Sequence, residues 1–151
     1  MDVTAELDAP CTPTTLFAWI EDLGGYPRWL DIVPHADPVA PAPDGDDTGP
    51  AWSVDLRARL GPFARSKRLR MVRTEHIAPD RVAFERRELD ARHHSLWRLE
   101  ASVTPTAAGS RLTMHLHYGG SLFGPVVERL LGDEIERSRP RLLACLGSEE
   151  A

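Results

Sequence analysis

Cysteine is scarce in this chain of 151 residues: there are two, Cys11 and Cys145. Two cysteines are no disulfide framework, and they can pair only where the fold brings them together. A reduced, cytoplasmic setting is the expectation. Long apolar runs are missing too. No stretch approaches the roughly 18 apolar residues that a membrane span needs. The opening MDVTAELDAP has no basic segment followed by an apolar run, so no secretory signal is expected. Internal repeats, a glycine-rich phosphate loop, a nucleophile elbow, zinc-ligand spacing and a Walker pattern are absent. No metal and no cofactor is expected. The formal net charge of −5 speaks against a bulk nucleic-acid binder or a protein drawn to anionic membranes. One stretch runs the other way: Arg57 to Arg73 is rich in Arg and Lys, which we read as mostly the wet face of strands.

What is present suits one globular domain, taken as residues 1–147. The chain is 42% hydrophobic and 27% charged, which argues against disorder, and it is long enough for a real core.

Val3 to Leu7 alternates apolar and polar, the period of a strand, and Asp8-Ala9-Pro10 breaks it. Thr12-Pro13 starts a helix: Thr12 can cap it and Pro13 suits its first turn. Leu16, Phe17 and Ile20 form its buried stripe, and Gly24-Gly25 is expected to stop it. Tyr26 to Leu30 reads as a second short helical turn. Pro41 to Pro50 is expected to be a mobile loop. Trp52, Val54, Leu56 and Ala58 then share one strand face, with Ser53, Asp55, Arg57 and Arg59 on the other. Gly61-Pro62 turns the chain into a long strand from Phe63 to Glu75, whose alternation is poor. Leu69 and Met71 inward would carry Arg73 inward; Val72 inward would select Arg68 and Arg70 instead. After a turn at Pro79-Asp80, Val82, Phe84 and Arg86 share a face. His93, Ser95, Trp97, Leu99, Ala101 and Val103 do so in the next strand. Leu112, Met114, Leu116 and Tyr118 do so in the last, opposite Arg111, Thr113, His115 and His117.

The tail reads as a long helix with Phe123, Val126, Val127, Leu130, Leu131, Ile135, Leu142, Leu143 and Leu146 at helical spacing. Gly132 and Pro140 fall inside it, and Pro140 predicts a kink. Alternating strands imply an antiparallel sheet with one wet face. A helix about 10 Å across cannot fill the concave side of a curved sheet of six or seven strands. Bulky side chains or a pocket must take the rest.

Several segments resemble the polyketide-cyclase branch of the START-related SRPBCC superfamily. They are the first strand, the Asp8-Ala9-Pro10 break, Leu16-Phe17-Ala18-Trp19, and Asp22-Leu23 followed by Tyr26-Pro27-Arg28-Trp29. Trp97-Arg98-Leu99, Gly109-Ser110-Arg111-Leu112-Thr113 and the closing helix continue the likeness, which covers nearly the whole chain. The resemblance implies an α+β helix-grip fold. A curved antiparallel sheet of about seven strands wraps round a long C-terminal helix, with two short helices after the first strand. It also implies a pocket for a polyketide, lipid, quinone or other apolar molecule. Some members cyclise or dehydrate polyketides, with a pocket arginine and hydroxyl or water contacts associated with catalysis.

Three functions stay in competition: binding of a small apolar ligand, cyclase or dehydratase chemistry, and docking of a protein partner. A homodimer is left open. The expected ligand-binding residues are Trp29, Trp52, Val54, Leu56, Phe84, Trp97, Met114, Leu116 and Leu130, against the plain alternative of core packing. The candidates for acid–base work are Arg86, His93 and Tyr118. Arg86 is a charge on an otherwise apolar face, costly unless paired or used on a ligand oxygen. Its alternative is a strand end in solvent. His93 shares its expected face with Trp97, with a surface strand end as the alternative. Tyr118 precedes Gly119-Gly120 and could offer a hydroxyl at a pocket mouth. His115 and His117 could hold a metal with a third ligand, but an exposed polar face is the preferred reading.

Overall fold

A computed structural model of the chain describes residues 2–60, 62–119 and 124–150; the side chains at 58–60, 63, 65, 124–131 and 148–150 lie outside that description. Seven strands and two α-helices follow one another as β1 (Asp2–Ala9), α1 (Pro13–Ile20), a 3₁₀ helix (Leu23–Arg28), β2 (His35–Val39), β3 (Ala51–Leu60), β4 (Phe63–Ile77), β5 (Arg81–Arg86), β6 (Trp97–Thr106), β7 (Gly109–Tyr118) and α2 (Gly124–Glu150). The strands form one antiparallel sheet in the order β1-β7-β6-β5-β4-β3-β2. β2 through β7 form a meander, and β1 joins its far edge beside β7. The curved sheet, the C-terminal helix and the short helices are the arrangement the resemblance implied.

Local chemistry fixes the elements that shape the concave side. Thr12 caps α1 by accepting from the Thr15 amide at 3.3 Å, and Pro13 occupies the first turn. The helix ends at Ile20, before the glycines expected to stop it. Asp22 accepts from the Gly24 amide at 2.7 Å and starts the 3₁₀ helix, so Gly24 and Gly25 fall inside that element. The Tyr26 hydroxyl then donates to the Ile20 carbonyl at 2.9 Å, tying the two helices together. Gly109 sits at φ +151 where β7 leaves its turn, and a Cβ there would lie 2.3 Å from the Ala9 carbonyl oxygen. Glycine thereby lets the end of β1 close against the β6–β7 turn.

The loop before β3 is hydrogen-bonded to the sheet. β2, with Pro38 inside it, pairs along β3 as the edge strand, where a missing amide is tolerated. Beyond it, Arg70 makes two bonds to Asp47, at 2.6 and 3.3 Å, and donates to the carbonyls of Ala40 and Arg87. Thr48 bonds the Arg73 carbonyl, and a Cβ on Gly49 would sit 2.5 Å from that oxygen. The loop thus covers the convex side of β4 and buries Val72 completely. That cover explains the poor alternation of β4: Val72 on one face, and Leu69 and Met71 on the other, are all buried. A register shift at Arg73/Glu75 adds to it.

On the concave side, Leu16, Phe17 and Ile20 of α1 pack with Val82, Phe84, Ala101, Val103 and Leu112. Phe84 meets Tyr26 and Trp52 edge to face at 6.3 and 5.6 Å. Helix α2 continues through Gly132 and Pro140 and contributes Leu142 and Leu146 to the core. The convex side of β4 to β6 carries half-exposed ion pairs centred on Arg98, which meets Glu75, Glu85 and Glu100.

Candidate ligand cavity

Between the sheet and α2 lies a cavity of about 210 Å³. Its wall comes from β1 (Val3, Ala5, Leu7), β3 (Val54, Leu56), β4 (Leu69, Met71), β6 (Trp97, Leu99) and β7 (Leu112, Met114, Leu116). The 3₁₀ helix and the turn after it add Leu23, Tyr26, Trp29, Leu30, Ile32 and Val33, and α2 adds Ile135 and Leu142. Polar residues are few on this wall: Ser66 and Lys67 on β4, Glu6 on β1, and Glu134, Ser138 and Arg139 on α2. A single water needs roughly 10–15 Å³, so the space suits a small organic molecule.

Strand pairing explains the wall. Cross-strand partners share a face, so Val54 opposite Leu69, Leu56 opposite Lys67, and Leu99 opposite Leu116 all look inward. This register settles the open direction of β4: Arg68 and Arg70 are on the convex side, and Arg73 shares the concave face with Met71. Arg73 does not reach the cavity; its guanidinium donates to the Glu21 carbonyl at 3.0 Å.

Of the ligand-binding residues expected from sequence, Trp29, Val54, Leu56, Trp97, Met114 and Leu116 are on the wall. Trp52 and Phe84 are not: both are buried against each other in the filled core. Leu130 falls on a side chain outside the described residues.

The acid–base candidates fare differently. Arg86 is on the concave face but turned to protein partners, Glu88 at 3.0 Å and the carbonyl and hydroxyl of Ser95 at 3.4 Å. Tyr118 is buried and stacked at 4.9 Å on Trp97, its cross-strand partner, which lines the cavity while Tyr118 does not. His93 is not in a strand at all. The chain turns at Asp90, whose carboxylate accepts from the Arg92 amide at 3.1 Å and contacts His94, and β6 begins only at Trp97. His93 is therefore exposed on a loop, and the expected strand face carrying it is corrected. The three groups do not converge on the cavity.

His115 and His117 lie on the convex side, and both contact the Asp2 carboxylate at 2.8 Å, which lowers the tendency of Asp2 to bind a proton. No group of ligating residues suited to a metal occurs among the described residues.

Two features of the cavity escaped the sequence reading. One is Lys67, half-buried on the wall with its ammonium 5.9 Å from the centre of the Trp97 ring. Burial, and then the Arg86 guanidinium, press it below the usual lysine range, while Glu88 acts the other way. Counting outward from the Gly61-Pro62 turn puts Lys67 opposite Leu56 and could have found it. The other is a set of buried polar atoms with no hydrogen-bond partner among the described residues: the indole N–H groups of Trp29 and Trp97, and Oε2 of Glu134. Buried polar atoms are normally paired, so these are places where a bound molecule can be met.

Comparison with other proteins agrees with this architecture. A START superfamily protein from Mycobacterium smegmatis is 17% identical, with 98% of this chain and 97% of that one covered and a TM-score of 0.68. A protein from Chromobacterium violaceum is 13% identical, with 96% of each chain covered and a TM-score of 0.68. The AHSA1 protein from Silicibacter pomeroyi is 20% identical, with 99% of each chain covered and a TM-score of 0.63. At these identities the likeness shows the fold. No curated protein is similar enough in sequence to be matched. No helix among the described residues is long and apolar enough to cross a membrane. A family profile described as polyketide cyclase / dehydrase and lipid transport matches residues 1–144, and the chain belongs to that family.

Proposed function

We propose that the protein binds one small hydrophobic molecule, of the polyketide, lipid or quinone kind, between its sheet and its C-terminal helix. The observation that carries this reading is the cavity itself: about 210 Å³, with a wall that is apolar except for a few side chains. Apolar walls with a few placed polar groups are the ordinary character of small-molecule sites. Family membership points the same way. Binding is favoured over cyclisation because Arg86, His93 and Tyr118 do not line the cavity. Arg86 is already engaged by Glu88 and Ser95.

Two measurements test the reading. Native mass spectrometry of the purified protein should reveal a co-purified organic molecule, or one taken up from a panel of apolar compounds. Titration with the neutral dye Nile red should quench tryptophan fluorescence, since Trp29 and Trp97 are on the wall. Met114→Trp, which fills the cavity, should abolish the quench while leaving a folded chain. A protein that takes up no compound, and whose quench is the same in the filled variant, would reject cavity binding.

A further inference from the structure

The cavity is unevenly charged. Lys67 stands at the end where β4 runs on past the last residue of β5, and it is partly buried. Among the described residues no carboxylate comes within ion-pair distance of it. The acid acting on it, Glu88, is engaged by Arg86 at 3.0 Å. Two cations, Lys67 and Arg86, thus share one carboxylate. Burial and the repulsion from Arg86 both disfavour the charge on Lys67. Such a group is stabilised by a counter-charge, and here the protein supplies only part of one. Beside it, the Trp97 indole N–H is a buried donor with no acceptor among the described residues. An anionic oxygen group answers both deficits. Of the two acidic residues on the wall, Glu6 is on β1 and Glu134 on α2, where its Oε1 is joined to Arg137 and its Oε2 meets no partner among the described residues; Arg139 is joined to Glu136, so the wall's unmatched cation is Lys67.

We propose that the ligand is an apolar carboxylic acid, whose carboxylate seats against the Lys67 ammonium while its hydrocarbon body fills the cavity. The proposal rests on the cavity-binding reading above and adds the chemistry of the ligand's polar end. A charged hydrogen bond in a partly dry site is roughly twice as strong as a neutral one.

The test compares decanoate with decanamide, which match in size and differ in charge, by titration calorimetry at neutral pH. The wild type should bind decanoate about tenfold more tightly, a difference of about 1.4 kcal/mol. Lys67→Met should bring the ratio close to one, and Lys67→Arg should keep most of it, which separates loss of charge from loss of fold. Equal binding of both compounds by the wild type would overturn the carboxylate proposal and leave apolar binding standing. A preference that survives Lys67→Met would overturn it as well, by placing the head elsewhere. Binding of neither compound would overturn it together with the cavity reading.

Discussion

The concave face of one sheet is filled in one region and hollow in another. Where α1 and the 3₁₀ helix cover it, Phe84 and Val82 are completely buried, Trp52 and Tyr26 close on Phe84, and the one phenol in reach donates to the Ile20 carbonyl. Where α2 covers it, Trp97, Leu99, Met114 and Leu56 are only partly buried, and the indole N–H groups of Trp29 and Trp97 meet no described acceptor. Aromatic side chains occur in both regions, so aromatic content does not tell them apart. What separates them is empty volume: the partnerless indole N–H groups of Trp29 and Trp97 belong to residues that line a cavity, whereas Trp19 on α1, whose indole N–H also meets no partner among the described residues, does not line it. A matched group holds the fold; an unmatched group beside empty volume is left for a ligand.

The comparison breaks first, if it breaks, at Phe84 and Trp97. Phe84→Ala should cost about 3–5 kcal/mol, because it opens a cavity in a close-packed region. Trp97→Ala should cost roughly 1–2 kcal/mol, chiefly the lost stack on Tyr118, while weakening Nile red binding. Denaturant unfolding of both variants measures the first pair of numbers and fluorescence titration the second. Equal stability losses would mean that the two regions are packed alike.

On the other side of the sheet, Arg70→Met should cost about 2–3 kcal/mol by leaving Asp47 buried without its partner. Asp47 is 5% exposed in its side chain, so water screens the pair little. Arg70, ahead of the Ala42 amide, holds the Asp47 carboxyl below its ordinary value against the opposing effect of burial. The unfolded chain therefore takes up this proton first as pH falls. The pair's contribution is fully present above about pH 4 and fades below it as Asp47 itself protonates in the folded state. Melting curves between pH 2 and 7 should show that part of the acid slope missing in Asp47→Asn; an unchanged slope would mean that the pair does not fasten the loop.

The sequence made the elements with clean alternation legible, and with them the architecture. Trp52-Val54-Leu56 and Leu112-Met114-Leu116 face inward as their period requires. β4 was hard to read because the 40–50 loop covers its convex face around Arg70 and Val72. Buried Val72 then stands against buried Leu69 and Met71, which left the direction of the strand open, while at Lys67 the inward side chain is itself polar and sits beside exposed Arg68, so no alternation marks it. Proline and glycine marked the loop as irregular backbone, but nothing local in it shows that an arginine far along the chain bonds to Asp47 and the Ala40 carbonyl. His93 was misplaced for a local reason: a histidine four residues ahead of a strand and in phase with it looks like part of it unless the turn at Asp90 is recognised. Which inward residues touch the cavity and which fill the core was not readable at all. Trp52 and Trp97 both face inward in alternating strands and differ only in what the distant helices place over them.

The smallest effect sharpens the comparison most directly, because it removes one hydroxyl from the filled region and nothing else. Ile20 is the last residue of α1, so its carbonyl has no intrahelical donor. The Tyr26 hydroxyl supplies one from six residues along, at 2.9 Å. Burial, followed by the nearby Asp22 charge, raises the phenol's affinity for its proton, so the hydroxyl remains a donor throughout the range in which the protein can be studied. Tyr26→Phe should therefore cost about 1 kcal/mol, with the same cost at pH 6 and pH 9, read from the denaturant midpoint at constant slope. The ring stays in place against Trp29 and Phe84, so no cavity term adds to it. A neutral substitution would mean that this hydroxyl contributes no more to the fold than the partnerless indole N–H groups do, and that the filled region is held at the cavity's edge by ring packing alone.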